Sequence, residues 1–138
     1  MDKLRYAVIC VDDDSHILQM LSFQLEKIID VKCTLLEYFT DPKLALEGID
    51  ELISVPLDVI FIIVDYQMPE MNGAQLIRAI KEKYPNLECI MLSGQANSSQ
   101  VNDLQNDQLL SHFISKPWEE STLFQALRPI IENKGGWF

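Results

Sequence analysis

Basic residues are scarce: 11 Lys and Arg stand against 21 Asp and Glu in a chain of 138 residues, a formal net charge of −10. So acidic a chain argues against direct contact with nucleic acid or an anionic membrane, both of which need a basic face. Divalent cations and basic partner surfaces fit better. Cysteine is also sparse. Cys10, Cys33 and Cys89 form no CxxC pair and cannot all be bridged; each lies in an apolar run, so each is expected to be a buried reduced thiol. Long hydrophobic runs are missing. The longest, Val59 to Val64 with Pro56 and Leu57 just ahead, is far below the ~18 residues a membrane-spanning helix needs. Residues 1–6 carry no apolar signal-peptide core. These absences together point to a reducing cytoplasm, with no membrane partner. No internal repeat or low-complexity segment interrupts the chain.

What is present suits one globular domain. The hydrophobic fraction is 48%, and a chain of this length buries roughly two-thirds of its unfolded surface. Tyr6 to Val11 is a continuous apolar run of strand length, cut off by Asp12, Asp13 and Asp14. Continuous rather than alternating hydrophobicity marks a strand covered on both faces, as in a parallel sheet. Asp14 or Ser15 can cap a following helix, in which Ile17, Leu18, Leu21, Leu25 and Ile28 keep helical spacing. Thr34 to Phe39 reads as a second strand, and Asp41-Pro42 opens a helix to about Ile53. Val59 to Val64, the most apolar run, is the expected central strand and ends at Asp65. After the loop from Tyr66 to Gly73 a helix runs to about Lys83, stopped by Tyr84-Pro85-Asn86. Leu87 to Leu92 is the fourth strand. Residues 98–110 are mostly polar, with Val101, Leu104 and Leu109 among the few apolar positions, and form the weakest helix signal. His112 to Ser115 is a short fifth strand, and a helix from Glu119 to Ile131 closes the domain, with Pro129 absorbed near its last turn. Five strands alternating with five helices imply a doubly wound α/β fold, a parallel sheet with helices on both faces.

In such sheets ligands gather beyond the carboxyl ends of the strands. Asp12 and Asp13, Asp65, Ser93 and Lys116 end strands one, three, four and five, so the fold would bring them to one edge. Taken singly, each has an ordinary structural explanation. An Asp run before a helix caps it, Ser-Gly after a strand makes a turn, and a lysine before proline is solvated. Together they are harder to dismiss. Carboxylates crowded at one edge repel unless a cation neutralises them, and Mg²⁺ favours one or two carboxylates plus water and phosphate oxygens. A lysine adds a point charge able to pair with a carboxylate at rest and with a phosphoryl oxygen later, and a hydroxyl adds a donor. The set describes phosphoryl transfer onto a carboxylate. His16 and His112 are isolated and read as surface or packing residues, and Met68 and Met71 as loop packing.

The segments Val11-Asp12-Asp13, Ile62 to Gly73 (IIVDYQMPEMNG), Leu92-Ser93-Gly94 and Ser115-Lys116-Pro117-Trp118 resemble the response-regulator receiver (CheY-like) domain of two-component signalling. The likeness runs from about Leu4 to Ile131. It implies a flavodoxin-like (βα)5 fold with a five-stranded sheet in the order 2-1-3-4-5. It implies Asp65 as phosphoacceptor, and Mg²⁺ (Mn²⁺ could substitute) held by Asp13, Asp65, the main-chain carbonyl of Gln67 and, through water, Asp12. Ser93, Lys116 and Phe113 take the phosphate-contacting and switch positions. Gln67 and Gln95 take positions that tune phosphate lifetime, and the peptide to Pro117 is expected to be cis.

The resemblance implies a signalling switch rather than an enzyme acting on an external substrate. The phosphoryl donor would be a sensor histidine kinase or a histidine phosphotransfer protein. The output would pass to a downstream protein or effector domain, or to a homodimer, through the fourth helix, fifth strand and fifth helix. Residues 1–131 would form the receiver and 132–138 a tail or the start of a linker. Either the chain stands alone or it is the N-terminal receiver of a larger regulator. A magnesium-dependent phosphatase working through an aspartyl phosphate is the alternative class. It needs its nucleophile after the first strand and a second acid two residues on, where this chain has Gln67.

Overall fold

The structure, a computed structural model, describes residues 3–94 and 99–134. Five strands, β1 (Tyr6–Val11), β2 (Thr34–Phe39), β3 (Asp58–Asp65), β4 (Glu88–Ser93) and β5 (His112–Ser115), alternate with five helices. These are α1 (Ser15–Leu25), α2 (Pro42–Ser54), α3 (Gly73–Lys83), α4 (Ser99–Asn106) and α5 (Glu120–Glu132). All strand pairs are parallel, in the order β2-β1-β3-β4-β5. The central position of β3 explains its composition: every residue from Val59 to Asp65 is buried.

The sheet divides the core in two. Ala45, Ile49 and Leu52 of α2, Leu76, Ile77 and Ile80 of α3, and Val101 and Leu104 of α4 pack on one face. Leu18, Leu21 and Leu25 of α1 and Leu123, Leu127 and Ile131 of α5 pack on the other. Between Ala7 and Val8 the β1–β3 register shifts by one residue, leaving Ile60 as the extra one. Ile60 and Phe61 therefore both feed the α1/α5 side. A bulge adds one residue without a partner, so the side-chain alternation slips locally.

Several element ends differ from the sequence reading. α4 stops at Asn106 rather than running to residue 110, and Ser98 lies outside the described residues. Gln108 sits in the left-handed region (φ 59°), and Leu109 N donates to Leu104 O at 2.9 Å. This turn swings Leu109 and Leu110 back onto the core, which apolar burial favours over continuing a polar helix. α1 ends at Leu25, and Ile28 is buried from a following turn rather than from the helix. Pro129 lies within α5 with an exposed ring, and α5 continues to Glu132. Cys10 and Cys89 are buried, but Cys33 is only half-buried, since it precedes the edge strand β2. Burial pushes the Cys89 thiol up to about 12 and that of Cys10 further still. The Lys116–Pro117 peptide is cis, as is Val55–Pro56, which nothing in the sequence signalled.

Candidate phosphoacceptor site

The carboxyl ends of β1, β3, β4 and β5 meet at one edge of the sheet. Asp12 continues β1 by donating its amide to Phe39 O at 3.0 Å, Tyr66 N bonds Leu92 O at 3.1 Å, and Lys116 N bonds Ser93 O at 2.9 Å. Parallel ladders running one residue past the strands thus hold the acidic, hydroxyl and basic positions side by side. Asp14 caps α1 by accepting from His16 N at 2.9 Å, so it serves the helix rather than the acidic group. His16 stands beside it on the surface, His112 is exposed, and Met68 is buried in loop packing.

Carboxylate oxygens of Asp12, Asp13 and Asp65 all lie within 4.8 Å of one another. Asp12 and Asp65 are buried and Asp13 is exposed. The Lys116 ammonium donates to Asp65 Oδ1 at 2.8 Å and to Asp12 Oδ2 at 2.9 Å. Asp12 Oδ1 accepts from Asp14 N at 2.9 Å, so both of its oxygens are engaged. One carboxylate partner at rest was expected of Lys116; it holds two, Asp65 and Asp12. Burial raises the pKa of Asp12 above the usual carboxylate value, opposed by the Asp14 amide and by Lys116. Burial likewise raises that of Asp65, against Lys116 and with added repulsion from Asp13. Burial works against the Lys116 charge, but the hydrogen bonds and charges of Asp65 and Asp12 outweigh it and hold the ammonium more firmly protonated. One cation against three carboxylates leaves a net deficit of positive charge. Hard oxygen donors in that number suit Mg²⁺ or Mn²⁺.

Asp13 opens onto a shallow hollow of about 370 Å³ that it shares with Tyr66, Gln67, Met68, Pro69 and Asn72. Gln67 is exposed on the loop bordering this hollow. Ser93 is buried at the end of β4. Phe113 is half-buried opposite Met91, two residues before the Ser93–Ser115 pair, and packs against the α2/α3/α4 side of the core. Gln95 lies outside the described residues.

Three supports had no role in the sequence reading. Gly73 N donates to Tyr66 O at 2.8 Å, and a Cβ on Gly73 would come within 2.2 Å of Asp65 O. Only a glycine lets α3 begin so close to the Asp65 main chain. Asn72 and Gln75 form a capping box at α3, and Asn72 Nδ2 also donates to Gln100 Oε1 of α4 at 2.9 Å. Trp118 Nε1 donates to Gln24 Oε1 at 2.9 Å, tying the segment after Lys116 to α1. Asn72-Gly73 lay within the motif that carries the family resemblance. The Gln24 and Gln100 contacts have no sequence signature.

The response regulator receiver domain family matches residues 8–128. The chain belongs to that family. Among characterised relatives it is 27% identical to the hydrogenase transcriptional regulatory protein HoxA of Cupriavidus necator, over 61% of this chain and 17% of that protein. It is 27% identical to a CheY homolog of Campylobacter jejuni, over 62% of this chain and 67% of that protein. The crystal structure of the signal receiver domain of an HD domain-containing protein from Pseudomonas fluorescens superposes with a TM-score of 0.77 at 27% identity, covering 94% of this chain and 97% of that one. The receiver spans a quarter or less of the hydrogenase regulators it matches. Among the described residues no helix is long and apolar enough to cross a membrane.

Proposed function

We propose that this receiver is a phosphorylation-dependent switch that accepts a phosphoryl group on Asp65. The observation that carries the reading is the grip of the Lys116 ammonium on Asp65 and Asp12 beside Asp13. A carboxylate oxygen of Asp65 attacks phosphorus, and the bond from phosphorus to the imidazole nitrogen of a donor phosphohistidine breaks with its electron pair on nitrogen. The donor is a sensor histidine kinase or a histidine phosphotransfer protein. Asp13, Asp65 and the Gln67 carbonyl, with Asp12 through water, would hold Mg²⁺, which would supply positive charge against that of the transferring group. Lys116 then moves its pairing from carboxylate to phosphoryl oxygen. The protein acts on no further substrate, and it works in the cytoplasm.

The new charge and acceptor oxygens draw the Ser93 hydroxyl inward, and Phe113, held by no polar group of its own, turns into the vacated space. The Asn72–Gln100 hydrogen bond gives the loop after Asp65 a second route to α4. α4 is anchored by only two buried side chains, Val101 and Leu104, so it is the element that yields. The face of α4, β5 and α5 then presents a changed surface to a downstream protein, an effector domain or a second copy.

Acetyl phosphate with Mg²⁺ should add one phosphoryl group, read by mass spectrometry and lost in Asp65→Asn. An adduct that persists in Asp65→Asn places the acceptor elsewhere. NMR spectra with and without beryllium fluoride test the switch, and unchanged Ser93 and Phe113 environments would reject it.

A further inference from the structure

The opposite edge of the sheet carries a second surface. β2 is an edge strand. Its bonds to β1 run through alternate residues, with Cys33 O accepting from Tyr6 N at 3.0 Å and Phe39 O from Asp12 N at 3.0 Å. Main-chain groups of a parallel strand alternate between its two sides. Those of Leu36 and Tyr38 therefore face outward, and among the described residues they find no backbone partner there. Edge strands are commonly blunted by lysine, proline or a bulge. β2 has none of these and pairs in regular register along its whole length.

Beside this edge α2 and β2 enclose a groove of about 280 Å³. Its floor is apolar, built by Phe39, Leu44 and Leu52. Gly48 admits the Phe39 ring against α2, since a Cβ there would lie 2.5 Å from its tip. Leu44 remains 53% exposed. Glu37, Glu47 and Glu51 stand along the groove, none with an ion-pair partner among the described residues. Asp50, Asp58, Glu70, Asp107 and Glu120 each meet a lysine or arginine instead.

We propose that this groove docks an extended basic segment of a partner protein. The segment adds as a strand on the outer side of β2, seats an apolar side chain on Leu44 and Phe39, and sets lysines or arginines against Glu37, Glu47 and Glu51. Free main-chain groups favour an extended occupant, and three carboxylates gathered around one groove favour a basic one. Pairing two copies edge to edge would set these carboxylates against their own kind, so a second copy is the poorer occupant.

The test uses the whole chain and a fluorescein-labelled peptide of about eight residues, long enough to cover β2, with lysines and one valine at alternate positions on one face and threonines on the other. Saturable binding is expected. It should weaken about tenfold or more in Glu37→Gln/Glu47→Gln/Glu51→Gln, and less than about twofold in Glu82→Gln/Asp103→Asn/Glu132→Gln. Each triple variant removes three charges from the same total of −10, so bulk attraction cannot separate them. Leu44→Ser, which keeps every charge, should also weaken binding, and the Leu36 and Tyr38 amides should shift in NMR spectra. Equal loss in both triple variants, no loss in either, no saturable binding, or shifts confined to other elements would each overturn the proposal.

Discussion

Replacing Lys116 by alanine isolates the electrostatics of the site. Its ammonium lies 2.8 Å from Asp65 and 2.9 Å from Asp12, carboxylates with only 6% and 2% of their side chains exposed. At an effective dielectric of about 20, each contact carries about 6 kcal/mol of Coulomb attraction, most of it offset by desolvation. Removing one partner of a buried pair typically costs about 3–5 kcal/mol. The Lys116 side chain is 21% exposed, and a stranded carboxylate can take up a proton rather than stay charged, at ~1.4 kcal/mol per pH unit. We expect about 2–3 kcal/mol lost at pH 7 without metal, shrinking as pH falls and the carboxylates neutralise. Lys116→Ala also removes a positive charge beside the cation site, so about 10 mM Mg²⁺ should stabilise the variant more than the parent, by linkage of binding to folding. Urea unfolding followed by far-UV circular dichroism, in chelator and in Mg²⁺ at pH 7 and pH 5, reads both effects. A loss below about 0.5 kcal/mol at both pH values would show Lys116 to be a solvated bystander. An equal Mg²⁺ response in both proteins would refute the charge-competition argument.

Other perturbations follow from the same geometry. Asp12 and Asp65 have raised pKa values in the folded state, so the fold binds their protons more tightly than the unfolded chain. Metal-free stability should therefore rise as pH falls from 7 toward 3.8, the ordinary Asp value, and turn over below it as the lowered Asp50 and Asp14 protonate; Asp12→Asn/Asp65→Asn should abolish the rise in denaturation midpoints. Tyr38 buries its hydroxyl without a partner among the described residues, so Tyr38→Phe should stabilise by about 1 kcal/mol, and a loss in thermal or urea unfolding would reveal an unseen bond. Gly73→Ala would push a Cβ within 2.2 Å of the Asp65 carbonyl. It should cost about 3 kcal/mol and slow phosphorylation by acetyl phosphate, whereas unchanged labelling would mean that the loop relaxes freely.

The strands and most helices were legible because both-face burial writes itself into sequence as unbroken apolar runs, and Tyr6–Val11 and Val59–Val64 are such runs. A capping signal did the same for α2, where Asp41-Pro42 marks the start. The convergence of Asp12, Asp13, Asp65, Ser93 and Lys116 followed from one rule, that parallel strands end on one edge. The order β2-β1-β3-β4-β5 did not follow from periodicity, and family resemblance supplied it. The early end of α4 was hidden as well, since Leu109 and Leu110 choose the core over the helix only once a core exists.

Local chemistry was thus determined by the sequence, and shared use of groups was not. That Lys116 serves Asp12 as well as Asp65, that Asn72 reaches Gln100 and that Trp118 holds Gln24 are contacts between residues 104, 51, 28 and 94 positions apart. No spacing in the chain encodes such distances. The free outer side of β2 belongs to the same class, because whether a strand is an edge depends on where its neighbours lie. A sequence states what each side chain can do, while the packed sheet decides which of them meet, because burial leaves charged and polar groups only the partners that the fold has brought within reach.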